Sequence, residues 1–372
     1  MIKRIRVANF KSIGDASLDL SSGVTVLIGR SGSGKTNFLE ATRYLRNLLR
    51  AGLGIIRGNW GPIARANASK SEVVRFEVDF DFPALGGSIS YQLSIPVENP
   101  SQVAEERLAV GPRVLFHQRG RNWVRPPEVP NGPGTGPILL PVISGIQEIA
   151  VACEVLSNGI GCYDFPGNVL HAHQDAPGSP LAPLADQAEN FLAVLSAIQN
   201  DIRHPDHWKQ VIAALQRLDP SIVTLGLARP SPSKVDVVHR VGRSSLSLDL
   251  SQESEGLRRF LAHLIALYQP VPRTLMAFDE PEKGIYAGAL AVLAEEFKVS
   301  PSAGRGQIVL ATHSPQLLDH FDPESVRVVE IEDGATKIGP LAPDQFESVK
   351  QQLLTPGELL TADPARITTP AA

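Results

Sequence analysis

The residues of this chain most suited to chemistry are Gly29-Arg30-Ser31-Gly32-Ser33-Gly34-Lys35-Thr36, which satisfy G-x-x-x-x-G-K-[ST] at every fixed position. Gly32 and Gly34 permit a tight turn that aims backbone N–H groups at phosphate oxygens. A helix running on from Asn37 adds the partial positive charge of its N-terminus, so the cofactor-binding stretch is expected to span Gly29 to Asn37. Lys35 is placed to reach the β- and γ-phosphates, and the Thr36 hydroxyl to take one position on Mg²⁺. A chance glycine-rich turn would need no such flanks. Here Val24-Thr25-Val26-Leu27-Ile28 reads as a buried strand, and Phe38, Leu39, Ala41, Leu45, Leu48 and Leu49 fall on one helix face.

Two further clusters end apolar runs. Leu275-Met276-Ala277-Phe278 leads into Asp279 and Glu280, and Ile308-Val309-Leu310-Ala311 leads into Thr312-His313-Ser314-Pro315. An acidic residue at the end of a buried strand beside a phosphate loop is suited to hold Mg²⁺, the role expected of Asp279. Glu280 is suited to act as general base on the attacking water. His313 is suited to donate a hydrogen bond to the γ-phosphate and report its presence. The plainer alternatives are an acidic strand end that caps the next helix and a histidine with an ordinary surface role. Ser254-Glu255-Gly256 opens a further helical pattern, where N–H groups and a hydroxyl could meet an anion. An N-cap with acidic residues favouring the helix dipole explains the same residues, and spacing alone does not separate the two.

The elements that must position these groups follow two patterns. Ile2 to Val7 and Ala16 to Leu20 read as strands around a turn at residues 9–14. Residues 73–82, 89–95, 107–110, 114–118 and 123–124 alternate as an antiparallel meander. Residues 52–68 read as a loop, and residues 125–141 as a Pro- and Gly-rich loop with no packing of its own. Helical spacing covers 143–156, 186–200 and 208–218, and strand patterning returns over 222–228, 235–241 and 246–250. From residue 256 helices and buried strands alternate (256–267, 274–278, 287–297, 308–311, 315–320). The fold class expected is α/β, a mixed or parallel sheet covered by helices, with an antiparallel meander and a helical lobe. The tail beyond Asp344 reads as frayed.

Composition narrows the function. The 372 residues are 43% hydrophobic and 20% charged, as in soluble globular chains. A formal charge of −4 gives no global basic field, so nucleic-acid binding would need a local patch. Arg43, Arg46, Arg50, Arg57 and Arg65 form one candidate patch, and Arg119, Arg121 and Arg125 another. Cys153 and Cys162 are the only cysteines and make no C-x-x-C pair, which argues against a zinc ribbon and fits a reducing compartment. Without a signal-like start or a membrane-length apolar run, a cytoplasmic protein with no membrane partner is expected.

Taken in order, Gly29 to Thr36, Ser254-Glu255-Gly256, Phe278-Asp279-Glu280-Pro281 and Thr312-His313-Ser314-Pro315 resemble the ABC-type ATPase heads of the SMC/RecF class. They are similar, more closely, to compact AAA-family ATPases related to the overcoming-lysogenisation-defect (OLD) proteins. Asn9-Phe10-Lys11-Ser12-Ile13, Leu39-Glu40-Ala41 and Asn190-Phe191-Leu192-Ala193-Val194-Leu195 add to the likeness. The resemblance implies one ABC-like head over residues 1–345, followed by a tail at 346–372. Within the head, 1–142 would hold the phosphate loop and β meander, 143–256 the helical lobe and signature, and 257–345 the carboxylate and histidine segments. It implies Mg²⁺-dependent ATP binding and hydrolysis by two heads arranged head-to-tail, with Ser254 and Gly256 of one subunit on the γ-phosphate held by Lys35 of the other.

Departures from the family are specific. Ser-Glu-Gly-Leu-Arg replaces the LSGGQ-like form of transporters, which argues against a transport subunit. Pro281-Glu282-Lys283-Gly284-Ile285-Tyr286-Ala287-Gly288 lacks the Leu-His-Pro of relatives, and only Gln118 and Gln147 are candidates for the Q-loop. About sixty residues follow His313, too few for a TOPRIM domain, so any nuclease effector is expected on a separate chain. Two functions follow: an ATPase that switches a DNA-associated partner in repair or anti-phage defence, or a nucleotide-dependent assembly scaffold with little turnover and no direct DNA contact.

Overall fold

Alternation of apolar and charged residues from Ile2 makes the first strand, and the computed structural model builds outward from it. It describes residues 1–56, 63–65, 72–82, 87–128, 138–143, 145–170, 182–227 and 234–368. The N-terminal part runs β1 (Ile2–Phe10), β2 (Ile13–Asp19), β3 (Val24–Ile28), α1 (Lys35–Ala51), then β4 (Val73–Phe82), β5 (Gly87–Pro96), β6 (Glu105–Val110), β7 (Arg113–Arg119) and β8 (Asn122–Arg125). The middle holds α2 (Gln147–Ser157), β9 (Ile160–Tyr163), α3 (Phe191–Gln199), α4 (Asp206–Leu218), β10 (Ile222–Leu227), β11 (Val235–Val241) and β12 (Ser244–Asp249). The last part is α5 (Glu255–Tyr268), β13 (Leu275–Asp279), α6 (Ala287–Ser302), β14 (Gln307–Ala311), α7 (Pro315–Leu318), β15 (Val326–Glu332), β16 (Ala335–Pro340) and α8 (Pro343–Lys350).

Among the described residues, thirteen strands form one mixed sheet in the order β8-β7-β6-β5-β4-β1-β2-β16-β15-β3-β14-β13-β9, and β10 to β12 form a second. Strands β15, β3, β14, β13 and β9 pair in parallel, and β8 through β2 form the antiparallel meander. The parallel strands are apolar on both sides because helices cover both faces. Leu27, Leu275, Ala277, Val309 and Ala311 join the core under α1 and α2. Val26, Met276, Phe278, Ile308 and Leu310 face the other way, into the core shared with α3 to α6. Successive side chains of one strand thus feed two separate cores.

Several expectations need correction. The end of the 125–141 stretch is not unpacked: Ile138, Leu139 and Leu140 are buried. Their anchor is Glu106, itself fully buried, whose carboxylate accepts the N–H groups of Leu139 (2.7 Å) and Leu140 (2.9 Å) and the Tyr91 hydroxyl (3.0 Å). Burial pushes the Glu106 carboxyl up to about 7, and these donors pull it back. The tail is not frayed over its described length. It forms α8 and a 3-10 turn at Pro356–Leu360, buries Leu359, and returns to bridge Leu341 with Ile367. It has no helical period long enough to read, and its apolar residues make sense only against the head. Strands β9, β15 and β16 were not expected; β9 has four residues, and all are buried. The helix expected over 186–200 begins only at Phe191, because Ala188 takes a left-handed φ of 61° and the Asn190 side chain accepts the Ala185 N–H (2.8 Å), both incompatible with a helix running through from 186.

Glu106→Ala would strand the Leu139 and Leu140 N–H groups without acceptors in the core. It should cost about 3 kcal/mol of unfolding free energy, read as a lower urea midpoint at unchanged slope.

Candidate functional site

Pairing register assembles the site. Leu27 lies beside Ala311, and Ala311 beside Asp279, so β3, β14 and β13 end together. The residues that follow, Gly29, Thr312 and Glu280, therefore emerge on one edge of the sheet, the carboxyl edge where ligands of such sheets bind.

The loop from Gly29 to Gly34 is held from behind. Thr336, fully buried on β16, donates its hydroxyl to the Ser33 carbonyl (2.9 Å) and lies 2.7 Å from the Ser12 hydroxyl. Ser12 in turn accepts the Asn37 amide (2.7 Å), so the side chain of Asn37 is engaged within the loop's own support. Gly34 has φ 104°, and a Cβ there would lie 2.1 Å from the Thr336 hydroxyl oxygen. No other residue type fits that position.

Lys35 curls back over the loop and donates to the carbonyls of Gly29 (2.9 Å) and Arg30 (3.2 Å). The Thr36 hydroxyl donates to Asp279 Oδ1 (3.2 Å), joining two residues 243 positions apart in sequence. Burial, aided by Asp164 and Glu280, pushes the Asp279 carboxyl up, while the Thr36 hydroxyl pulls it down. Glu280 takes φ 47°, a left-handed backbone at a non-glycine residue, and its N–H donates to the Ala311 carbonyl (2.8 Å). Its carboxylate pairs with Lys283 and lies 3.9 Å from His313 Nε2. Burial, with the Lys35 charge adding to it, pulls the His313 imidazole down, which keeps it neutral near pH 7.

Gly29 to Ser33 and His313 line one cleft, whose far wall is Leu360 and Arg366 of the tail. Ser254 and Gly256 line a different cleft, with Leu218, Gly284 and Tyr286. Ser254 N-caps α5 by accepting the Leu257 N–H (3.2 Å), and both Ser254 and Glu255 are exposed. A Cβ at Gly256 would lie 2.8 Å from the Gly284 carbonyl oxygen, so the start of α5 packs directly on the turn that follows Glu280.

Other expectations do not assemble. Gln118 sits in the buried Glu106 network on β7, and Gln147 lies by Arg113 and Glu148. Seven strands separate β7 from β3 in the sheet. Asp164, just past β9, takes the place beside Thr36 and Asp279 instead. Two of the arginines after the loop are tied to an internal carboxylate. Arg46 is buried and makes a bidentate pair with Asp186 (2.7 and 2.6 Å), Arg43 reaches the same carboxylate (3.4 Å), and Arg50 donates to the Ser157 carbonyl (2.6 Å). Arg65 donates to the Gly334 carbonyl (3.3 Å), and Arg57 lies outside the described residues. In the second group Arg119 pairs with Glu105 (3.1 Å) and Arg125 with Glu128 (2.8 Å). Sequence reasoning missed Ser12, Asp164, Glu282 and Thr336. Only Glu282 carried a local signal, as a third acid beside Asp279 and Glu280.

No helix among the described residues is long and apolar enough to cross a membrane. Residues 165–319 match a family model described as "AAA domain, putative AbiEii toxin, Type IV TA system", and residues 1–72 match one described as "AAA ATPase domain". Curated relatives include the DNA replication and repair protein RecF of Brucella abortus (strain 2308), 37% identical over 78 residues, 21% of this chain and 19% of that protein. RecF of Nocardioides sp. (strain ATCC BAA-499 / JS614) is 45% identical over 47 residues, 13% of this chain and 11% of that one. The match therefore spans about a fifth or less of these relatives' length. Among solved structures, an SMC head bound to the C-winged helix domain of ScpA superposes with a TM-score of 0.59 at 14% identity, covering 92% of this chain and 99% of that one. The Pyrococcus furiosus SMC head with an extended coiled coil, bound to the C-terminal domain of ScpA, gives 0.58 at 13% identity, covering 95% and 99%. Stretches at both ends of the site thus match AAA-type ATPase family models, and the chain has the fold of an SMC head.

Proposed function

We propose that this head binds MgATP at the Gly29–Thr36 loop, hydrolyses it, and is completed by a second copy of itself. The observation that carries the reading is the convergence of Lys35, Thr36, Asp279, Glu280 and His313 at one sheet edge, on three parallel strands. Ser254 and Gly256 line a separate cleft, with Glu255 exposed beside them, which favours their acting on the partner head's nucleotide. Their cap of α5 and that role are compatible, since a capping serine leaves the other N–H groups of the first turn free.

The residues present fit Mg²⁺. Thr36 and Asp279 offer a hydroxyl and a carboxylate already in contact, an oxygen-only pair of the kind Mg²⁺ takes while keeping waters and phosphate oxygens. Bound there, the ion supplies positive charge against the phosphate oxygens. The loop N–H groups and the Lys35 ammonium bind the phosphates. Glu280 accepts the proton of the attacking water once its half-exposed Lys283 partner lets go, a weak surface pair. His313, as a neutral imidazole, donates its one N–H toward the terminal phosphate. Hydrolysis then separates the heads, which is how such a site acts as a switch.

A DNA-associated partner, in repair or defence of the OLD-like type, is the biological setting this supports. RecF relatives are named for DNA replication and repair, and the superposed SMC heads carry ScpA. The pairing of Arg43 and Arg46 with Asp186 takes two cations out of the first candidate patch, which favours a DNA role exerted through a partner rather than by direct contact there. Salt-dependent binding of duplex DNA by the isolated head with ATP would overturn that preference.

Glu280→Gln should retain nucleotide and accumulate as an ATP-bound dimer in sedimentation, with turnover reduced about 100-fold or more; wild-type turnover would remove Glu280 from the base role. His313→Ala should lower kcat more than it raises the nucleotide Kd, and the reverse would count against a sensor. Burial lowers the Lys35 ammonium to about 8, against Asp279, Glu280 and Glu282, which favour the charged form. Above that pH the free head carries a neutral amine, whereas a bound phosphate holds the proton on. MgATP affinity should therefore fall about tenfold between pH 7 and 9, by calorimetry, and Lys35→Ala should flatten the dependence.

A further inference from the structure

The turn after Glu280 contains a third carboxylate that the hydrolytic scheme leaves unused. Glu282 Oε1 accepts two hydrogen bonds, from the Thr312 hydroxyl (2.8 Å) and from the backbone N–H of His313 (2.9 Å). Thr312 is fully buried, and its hydroxyl oxygen also accepts the Ser314 N–H (3.0 Å). Ser314 in turn caps α7 through the Leu317 N–H (3.1 Å). One carboxylate oxygen thus fixes the backbone on which His313 is mounted, across 31 residues of sequence. Glu280 makes a parallel tie through its N–H to Ala311. The two chemical segments are therefore joined directly, turn to turn, beyond the ladder between β13 and β14.

The other oxygen makes the arrangement costly. Glu282 Oε2 is buried and has no hydrogen-bond partner among the described residues. An unsatisfied acceptor of this kind weakens folding, whereas an apolar replacement would leave the Thr312 hydroxyl and the His313 N–H without their acceptor. The carboxylate leaves one oxygen unpaired while the other holds the Thr312 hydroxyl and the His313 N–H. The consequence visible in the geometry is the orientation of His313: among the described residues its side chain has no ladder or helix to hold it, and its own N–H is bound through Glu282 alone.

We infer that Glu282 is a positioning residue, clamping the Thr312–His313 backbone so that the imidazole is aimed at the terminal phosphate. The inference rests on the hydrolytic reading of the same site. Glu282 touches no reacting atom; it acts through His313.

Three chains test it: wild type, Glu282→Ala and Glu282→Gln. The glutamine carbonyl can accept from Thr312 and His313 as the carboxylate does, whereas alanine removes the acceptor. In Glu282→Ala, kcat for ATP should fall about 10- to 100-fold, the range seen when an outer partner of a functional side chain is lost, with the nucleotide Kd within about threefold of wild type. Glu282→Gln should recover most of kcat. Amide hydrogen exchange, which needs no turnover, should speed up at His313 in Glu282→Ala and return toward wild type in Glu282→Gln. Unchanged exchange at His313, or unchanged kcat, in Glu282→Ala would overturn the positioning role. A wild-type head with no hydrolysis at all would instead defeat the hydrolytic reading, while the exchange data would still decide whether Glu282 holds His313.

Discussion

Everything at this site depends on three strands running parallel in one register. A backbone buried on both faces can satisfy its N–H and C=O groups only through neighbouring strands. The pairing of Val24–Ile28 with Gln307–Ala311, and of those with Leu275–Asp279, is therefore forced to be continuous. Because all three run the same way, their last residues emerge on one edge. Chemistry contributed from positions near 30, 280 and 313 meets there without any long side chain having to reach. The antiparallel meander adjusts around this frame and meets the edge through the turn between β1 and β2, where Ser12 supports the loop.

Two sets of contacts make the edge specific. Behind the phosphate loop, Thr336 and Ser12 hold Ser33 and Asn37, so the loop's shape is set by β16 and by the turn between β1 and β2 as well as by its glycines. In front, the five residues from Glu280 to Gly284 contact nearly every other chemical segment. Glu280 carries the candidate base, Glu282 holds the histidine segment, and the Gly284 carbonyl meets Gly256 at the start of α5. A displacement of this turn would be felt at the proposed base, at the proposed sensor and at the surface a second head would touch. In the proposed paired assembly, where the α5 end of one head would face the loop of the other, such a turn would be a physical route between two nucleotides.

The sequence made the chemistry legible and much of its support illegible. Gly29 to Thr36 could be read because a phosphate loop is local: strand, glycines, lysine and helix follow one another. Asp279, Glu280 and His313 were readable because each ends an apolar run, and a buried strand must end at a surface. Asp164 was hidden because β9 has four residues and no period to detect. Thr336 and Ser12 were hidden because their meaning lies in a contact 324 residues apart. The arginines after the loop misled for a related reason. Arg46 reads as a surface cation on a helix but is buried against Asp186, and no pattern within α1 announces its partner. The tail misled in the opposite direction, since its leucines lack a period and acquire a role only on the head.

The claim on which this view of the molecule most depends is that each ATP is shared by two heads, and complementation between two inactive chains tests it most directly. Lys35→Ala removes the phosphate cation, and Ser254→Asp keeps a good N-cap while placing a negative charge against the partner's γ-phosphate. Each chain alone should be inactive in ATP hydrolysis. Mixed, they should regain activity, because one of the two sites in the mixed pair combines an intact loop with an intact Ser254. Full hydrolysis by Ser254→Asp alone, or no recovery in the mixture, would contradict a shared site.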